Sequence, residues 1–503
     1  MNLYEFLLKN FNIKKKLIYN NKVYSYLYFI NVIENISKKL SKIHNLKKIL
    51  VITENPFFIS VLLYVGAKLG YTLITLNKSL SKSQVLIQIN YSKPDCIIYS
   101  KKLLKINKQI LKSVVLNDEK LFNNKEIEKI NIKKITKNII NNQKKHLEKD
   151  YIVTFSSGTT FKPKPILFTQ QIKLNRYKHI KKLYRVTKKD NTLSFSPLDH
   201  SLGQRLFFLA TLSGSNFVYF DRFNLNQIKN NIKEYDITFC ILPSNYLLML
   251  RESLIKKKIN IKKIVSASST LNLSDKETFK KNNIKFYEMY GASEVGTVTS
   301  LSFQDGKKKF NSVGKIINGA KVKILSNEKK LLTETEKPGE IVCKTTLKFK
   351  NYYKNKKLTK RSFFKGYFLT GDIGYIKKNY LYFLARKKDV IITSGLNIYP
   401  SDIERELNKH KNIKECSVIG LKDLYFGEVV FAVCVLKKNS KNAEFNLNKF
   451  LLKTISYKQL PLGYSFIKSL PKSVFGKILK KELKEIYDNQ KLDLSKKIRL
   501  FLN

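Results

Sequence analysis

The sequence predicts an α/β protein with an appended α+β module. A large N-terminal part holds two packed α/β subdomains and a small β-barrel-like subdomain, and a small C-terminal α+β domain follows. Three observations carry this. Lys48 to Asn77 reads as strand, helix, strand, which implies a parallel sheet with buried strands. From Leu193 to Ser266 apolar strand-like runs again alternate with helical stretches. Past Gly291 the texture changes to short alternating runs broken by turns at Val313-Gly314, Asn318-Gly319 and Pro338-Gly339, the pattern of short antiparallel strands.

Taken in order, Ile49 to Thr53 is strand-like, Asn55-Pro56 turns into a helix, and Gly70 suits that helix's C-terminal end before a strand from Tyr71 to Leu76. Cys96 to Tyr99 is the next strand. Lys101 to Lys149 is rich in Lys, Asn and Ile with weak periodicity, with room for a helix and a strand. Ile152 to Phe155 and Ile166 to Phe168 read as strands, Gln170 to Val186 as a basic helix, and Leu206 to Leu212 as an apolar one. Phe217 to Phe220, Ile237 to Leu242 and Lys262 to Ser266 complete the second α/β unit. After a charged break at Ala385 to Asp389, the order is helix (Ser401 to His410), strand (Cys416 to Gly420) and strand (Val429 to Val435). The domain boundary therefore falls between 1–385 and 386–503.

A chain of 503 residues exceeds one core of roughly 250–300 residues, so more than one domain is expected. The 96 Lys and Arg against 38 Asp and Glu give a net charge of +58, which would suit a nucleic-acid or anionic-membrane partner. The lysines, however, are spread over almost every segment among Asn and Ile, which favours a general compositional bias over a dedicated polyanion site. Cys96, Cys240, Cys343, Cys416 and Cys434 lie far apart, with neither disulfide-framework nor zinc spacing, and point to a reducing compartment. No signal peptide is read at the N-terminus, and the apolar block Ile59 to Ile74 is broken by Lys68 and too short to span a bilayer. A cytoplasmic protein is expected.

Five stretches carry chemistry. Between the strands at 152–155 and 166–168 lie Ser156, Ser157, Gly158, Thr159, Thr160, Lys162 and Lys164, small hydroxylic and basic residues that can approach polyphosphate oxygens; a solvated Ser/Thr hairpin turn is the plain alternative. His200, in Pro197-Leu198-Asp199-His200, follows an apolar strand and by itself reads as structural rather than catalytic. Glu288, Met289, Tyr290, Gly291, Ser293 and Glu294 join an aromatic face, a glycine, a hydroxyl and a carboxylate, parts that magnesium-bound ATP requires together. Asp372 stands between Gly371 and Gly374, where a carboxylate can accept two bonds from a ribose diol or simply form a turn. Lys477 follows Gly476 just before an amphipathic stretch; by itself it reads as one more surface charge.

In order and spacing these stretches resemble the adenylate-forming superfamily of acyl-CoA synthetases, peptide-synthetase adenylation domains and luciferases, over residues of about 150 to 483. The resemblance implies a phosphate loop at Ser156 to Lys164 and a ribose site at Asp372. It implies adenine contacts from Glu288, Met289 and Tyr290, a phosphate contact from Ser293, and magnesium ligation by Glu294 and Thr159. His200 and Gly291 would line the acid pocket. Arg386, a fixed cationic fork, would lie near ribose and phosphate. Lys388 would be the hinge of a mobile C-terminal domain, the Gly395 loop would admit the thiol, and Lys477 would be the catalytic lysine. The implied cofactors are ATP, Mg²⁺ and coenzyme A, and the implied partner is a carboxylic acid. The nearest alternative is a free-standing enzyme that loads an amino or aryl acid onto a separate carrier protein. A further one is a basic nucleic-acid-binding protein on an inactive ligase scaffold. Phe161 and Pro165 stand where the family's loop has glycines, and Ala385 replaces the glycine before Arg386.

Overall fold

The first βαβ unit shows how local sequence specifies the framework. Asn55 caps the Pro56–Leu69 helix by accepting from the Phe57 N–H, Pro56 sits at its first turn, and Gly70 ends it at φ +75°. The flanking strands Lys48–Ile52 and Thr72–Thr75 pair in parallel. The computed structural model describes residues 1–103, 113–122, 146–155, 164–423, 426–437, 443–473 and 478–488.

That unit belongs to a 7-stranded sheet whose order is Asn351–Tyr352, Pro165–Phe168, Ile152–Phe155, Thr72–Thr75, Lys48–Ile52, Cys96–Tyr99, Val114–Asn117. The central strands are buried on both faces, which is why they read as continuous apolar runs. A second, 15-stranded sheet carries the parallel strands Lys16–Tyr19, Phe217–Tyr219, Thr192–Ser194, Phe239–Pro243, Lys263–Ala267 and Phe286–Ala292. Helices Leu3–Asn10, Tyr26–Ser41, Pro56–Leu69, Gln170–Leu183 and Ser201–Ser213 share one apolar cluster with residues of both sheets. The layers therefore run helix, sheet, helix, sheet, helix, the two packed α/β units that the sequence implies.

The small subdomain expected past Gly291 is present as short antiparallel strands with an apolar cluster of their own, which among the described residues form no closed barrel. Phe286–Ala292 pairs in parallel on one side and antiparallel with Gly296–Ser302 on the other. The later strands, from Lys315–Ile316 through Tyr380–Arg386 and Tyr367–Lys377 to Leu331–Leu332, extend that edge as an open run. Short antiparallel alternation specifies the strands but not the edge they join, and here a free edge of the large sheet takes them. Among the described residues this run does not close on itself.

The chain's start, which carried no reading above, is well specified. Asn2 and Glu5 form a capping box on Leu3–Asn10, and Lys16–Tyr19 turns back into Lys22–Ser25 through Asn20 and Asn21 at φ +48° and +68°. Past residue 390 a 5-stranded sheet is built around the antiparallel pair Ile413–Asp423 and Gly427–Leu436, with Pro400–Leu407 packed on it. This is the α+β module. No described helix is long and apolar enough to cross a membrane. The five cysteines are buried and unpaired.

Candidate active site

Asp372 is the most constrained of the predicted groups. Gly371, at φ +69°, lets the Tyr367–Lys377 strand present it, and only 4% of the residue is exposed. Its Oδ2 accepts from the Tyr290 hydroxyl at 2.6 Å, and its Oδ1 pairs with Arg386 Nη1 at 2.8 Å. Arg386 stands directly opposite Asp372 in the ladder, so strand register itself sets this pair. Burial, then the charge of Asp372, holds the Tyr290 hydroxyl far above the usual phenol range, so it stays a donor. Arg386 keeps its guanidinium partly in solvent, available to a ligand as well.

Glu294 lies in the turn between Phe286–Ala292 and Gly296–Ser302 and is nearly buried. Tyr352 donates its hydroxyl to Glu294 Oε1 at 2.8 Å. Arg176, on the Gln170–Leu183 helix, donates to the carbonyls of Ser293, Glu294 and Leu347, which pins the turn. Gly291 permits the turn to close: a Cβ there would sit 1.9 Å from the Gly296 carbonyl oxygen. The Lys164 ammonium lies 5.6 Å from the centre of the Tyr352 ring, so the end of the Ser156 to Lys164 stretch reaches Glu294's own partner. Cys343 links the two carboxylates, for burial and then the charges of Asp372 and Glu294 push its thiol up to about 12. Asp372, Glu294, Tyr290, Arg386 and Lys164 therefore share one neighbourhood.

Ser156, Ser157, Gly158, Thr159, Thr160 and Lys162, with Phe161, lie outside the described residues, as does Lys477. The strands around the first stretch form an antiparallel pair whose last register partners are Phe155 and Pro165. Pro165 opens its strand, a position that tolerates proline. Ala385 is not among the residues with positive φ, so the missing glycine creates no strain there.

Other residues depart from, or refine, their expected places. Glu288 does not present its side chain to a nucleotide: its carboxylate is buried against Lys276 at 2.6 Å, both groups 2% exposed, and also accepts from the Leu271 N–H. Lys276 in turn donates to the Phe310 carbonyl at 2.7 Å. Alternation along the strand explains this, since Glu288 falls on the face opposite Tyr287 and Met289. Lys276→Met leaves that carboxylate alone in the core and lowers stability by about 3–5 kcal/mol. Chemical denaturation checks it, Lys276→Met with Glu288→Leu recovering most of the loss; a single variant as stable as the parent would show the pair to be idle.

His200 caps the Ser201–Ser213 helix, its Nδ1 accepting from Leu202 at 3.4 Å. Burial, then Arg205 and Lys173, pulls its pKa down to about 4, so the imidazole is neutral at pH 7. Met289 lies against Arg205, with Sδ 3.9 Å from Nη1. Gly395, at φ +78° beside Ser394 at +47°, forms an exposed hairpin tip joining Ile391–Thr393 to Leu396–Ile398. Lys388 lies in the Lys387–Asp389 3-10 turn that follows Arg386. Arg176, Arg205, Tyr352 and Lys276 went unread in the sequence; each is one basic or aromatic residue among many, with partners far along the chain.

A family model described as AMP-binding enzyme matches residues 14–353, and one described as AMP-binding enzyme C-terminal domain matches residues 402–477. A long-chain-fatty-acid–CoA ligase of Bacillus subtilis (strain 168) is 32% identical over 342 residues, 66% of this chain and 61% of that protein's length. A 2-succinylbenzoate–CoA ligase of Bacillus licheniformis is 26% identical over 434 residues, 82% of this chain and 84% of the other. Among solved structures, o-succinylbenzoate CoA synthetase from Bacillus subtilis with an acyl-adenylate intermediate superimposes at TM-score 0.81 and 21% identity, covering 96% of this chain and 98% of that one. ATP-bound MatB from Rhodopseudomonas palustris superimposes at TM-score 0.86 and 20% identity over 97% and 99%. These last two likenesses establish the fold.

Proposed function

Because the chain belongs to the AMP-binding enzyme family, we propose that it is an AMP-forming acid–thiol ligase, with coenzyme A as the thiol. The observation that supports it best is the convergence of Asp372, Tyr290 and Arg386 with Glu294 and Lys164 in one neighbourhood. A carboxylate oxygen attacks the α-phosphorus of ATP, the bond to pyrophosphate breaks, and an acyl-adenylate remains. The thiolate of coenzyme A then attacks the acyl carbon, and AMP leaves.

In this reading Asp372 accepts from the ribose hydroxyls, with Tyr290 and Arg386 fixing its orientation, and Tyr290 and Met289 line the base. Ser293 and the loop of Ser156, Ser157, Gly158, Thr159, Thr160, Lys162 and Lys164 donate to phosphate oxygens. Among the described residues no cluster of three or more metal-ligating side chains exists. Glu294, a single carboxylate, would suit a magnesium ion that arrives on ATP, and Thr159 would be its second protein ligand. That ion supplies neutralisation of phosphate charge. His200, neutral, lines the acid pocket beside Gly291. Residues 1–385 and 386–503 form two lobes that reorient about Lys388, exchanging Lys477 for the Gly395 loop.

Coenzyme A is preferred because the relatives named above are CoA ligases; no observation favours a carrier protein. The buried unpaired thiols suit a cytoplasmic setting. Acid-dependent exchange of pyrophosphate into ATP, run over fatty, aryl and amino acids, tests the reading. Exchange with at least one acid, and acyl-CoA on adding coenzyme A, is the expected result; silence across the panel would overturn it.

A further inference from the structure

The two helices beside Tyr290 and Glu294 are rich in positive charge, which the Glu294 carboxylate offsets at Arg176. Gln170–Leu183 contributes Lys173, Arg176 and His179, and Ser201–Ser213 contributes Arg205. Two of these are committed within the fold. Lys173 donates to Gln204 Oε1 at 2.6 Å and lies 3.9 Å over the Phe168 ring, and Arg176 is taken up by three backbone carbonyls.

Arg205 is different. Its Nη1 reaches Thr297 Oγ1 at 3.3 Å and the Met289 sulfur at 3.9 Å, while its Nε is enclosed and has no hydrogen-bond partner. The Nε2 of His179 is likewise enclosed and unpartnered. No described carboxylate forms an ion pair with Lys173, Arg176, His179 or Arg205. Burial first, and then positive charge that includes Arg205 in every case, pulls down the titration of Lys173, Arg176, His179 and His200. Arg205 is thus the common neighbour of the cluster. Arg205 is only partly covered, but its enclosed Nε has no acceptor and no described carboxylate pairs with it, so an arriving anion would meet both a charge and an unused donor.

Its position indicates which anion. Arg205 lies beyond His200 on the same helix and rests on Met289 and Thr297, in the two strands that lead into and out of the Tyr290 to Glu294 turn. Tyr184 and Ser300, whose hydroxyls are 3.3 Å apart, lie close by, since the charge of Arg205 also bears on Tyr184. The reacting carboxylate belongs at the turn, where Arg176 holds the Ser293 and Glu294 carbonyls. Arg205 sits a step along the ladder, at Met289 and at Thr297, the register partner of Gly291.

We propose that Arg205 is a specificity-determining residue, and that the acid activated here carries a second carboxylate, remote from the reacting one, that pairs with this guanidinium while His179 supplies a further hydrogen bond. This rests on the ligase reading above. A planar fork can hold a carboxylate through two parallel bonds, and a site built for such a group rejects the analogue that lacks it, because its own donors are then left unpaired.

The test is pyrophosphate exchange with linear dicarboxylic acids of four to ten carbons and phthalic-type aryl diacids, each paired with the monocarboxylic acid of matching size. The parent enzyme is expected to favour the best diacid, and in Arg205→Met the ratio of the two kcat/KM values falls roughly 30-fold, chiefly through KM for the diacid. Arg205→Lys, which keeps the charge but not the fork, recovers part of that ratio. Equal loss on both acids in Arg205→Met would overturn the proposal, as would a parent enzyme that prefers the monoacid. Failure of the ligase reading looks different: no acid of either kind then supports exchange.

Discussion

Replacing Lys477 by alanine is expected to slow adenylate formation severely and to spare the second half-reaction. Two anions, the acid carboxylate and the α-phosphate, must meet, and a cation placed at the developing charge acts most strongly in the transition state. Removing such a group costs roughly 10²–10³-fold. The flanks suit the role: Lys472 bridges to Ile478 across the stretch that contains Lys477, and the Lys480–Asp488 helix follows, anchored by the Lys480 to Glu404 ion pair at 2.7 Å. The measurement is a comparison of pyrophosphate exchange with thioester formation from supplied acyl-adenylate and coenzyme A. If both steps drop together, the lysine does not leave between them, and the two-position mechanism is lost.

Asp372→Ala has the next largest effect, a fall of roughly 10²–10³-fold in kcat/KM for ATP with weaker AMP binding. Two charge-assisted contacts disappear at once, each worth about 1.5–3 kcal/mol. The Tyr290 hydroxyl and the Arg386 fork are then left without the anion that orients them. Asp372→Asn loses less, because its amide oxygen still accepts from Tyr290. Titration calorimetry with AMP on folded protein decides the matter: affinity unchanged within about twofold would make Asp372 a brace and not a ribose ligand.

What could be read from the sequence was whatever is local. Asn55-Pro56 and Gly70 bound a helix because capping and positive φ depend on adjacent residues. Asp372 and Arg386 fall into register because one hairpin, Tyr367–Lys377 with Tyr380–Arg386, carries both. Contacts that join distant residues left no such mark. Arg176 reaches Ser293 across 117 positions and Tyr352 reaches Glu294 across 58, and in a chain with 96 basic residues one arginine has no signature. Glu288 shows the opposite failure: it stands inside a motif, yet strand alternation turns it to the core face and Lys276 claims it. Alternation likewise announced the antiparallel strands without saying that they would prolong the large sheet. Asn20-Asn21 was legible as a hairpin turn and went unread.

The short strand Asn351–Tyr352 comes from chain that has just left the 15-stranded sheet, yet it pairs with Pro165–Phe168 of the other one. It covers an apolar border whose backbone groups are otherwise unmet. A fragment ending before residue 351 bares that border, a template for association between molecules. The first lobe accordingly cannot be cut into independent halves and stay monodisperse: its last third seals what its first third begins.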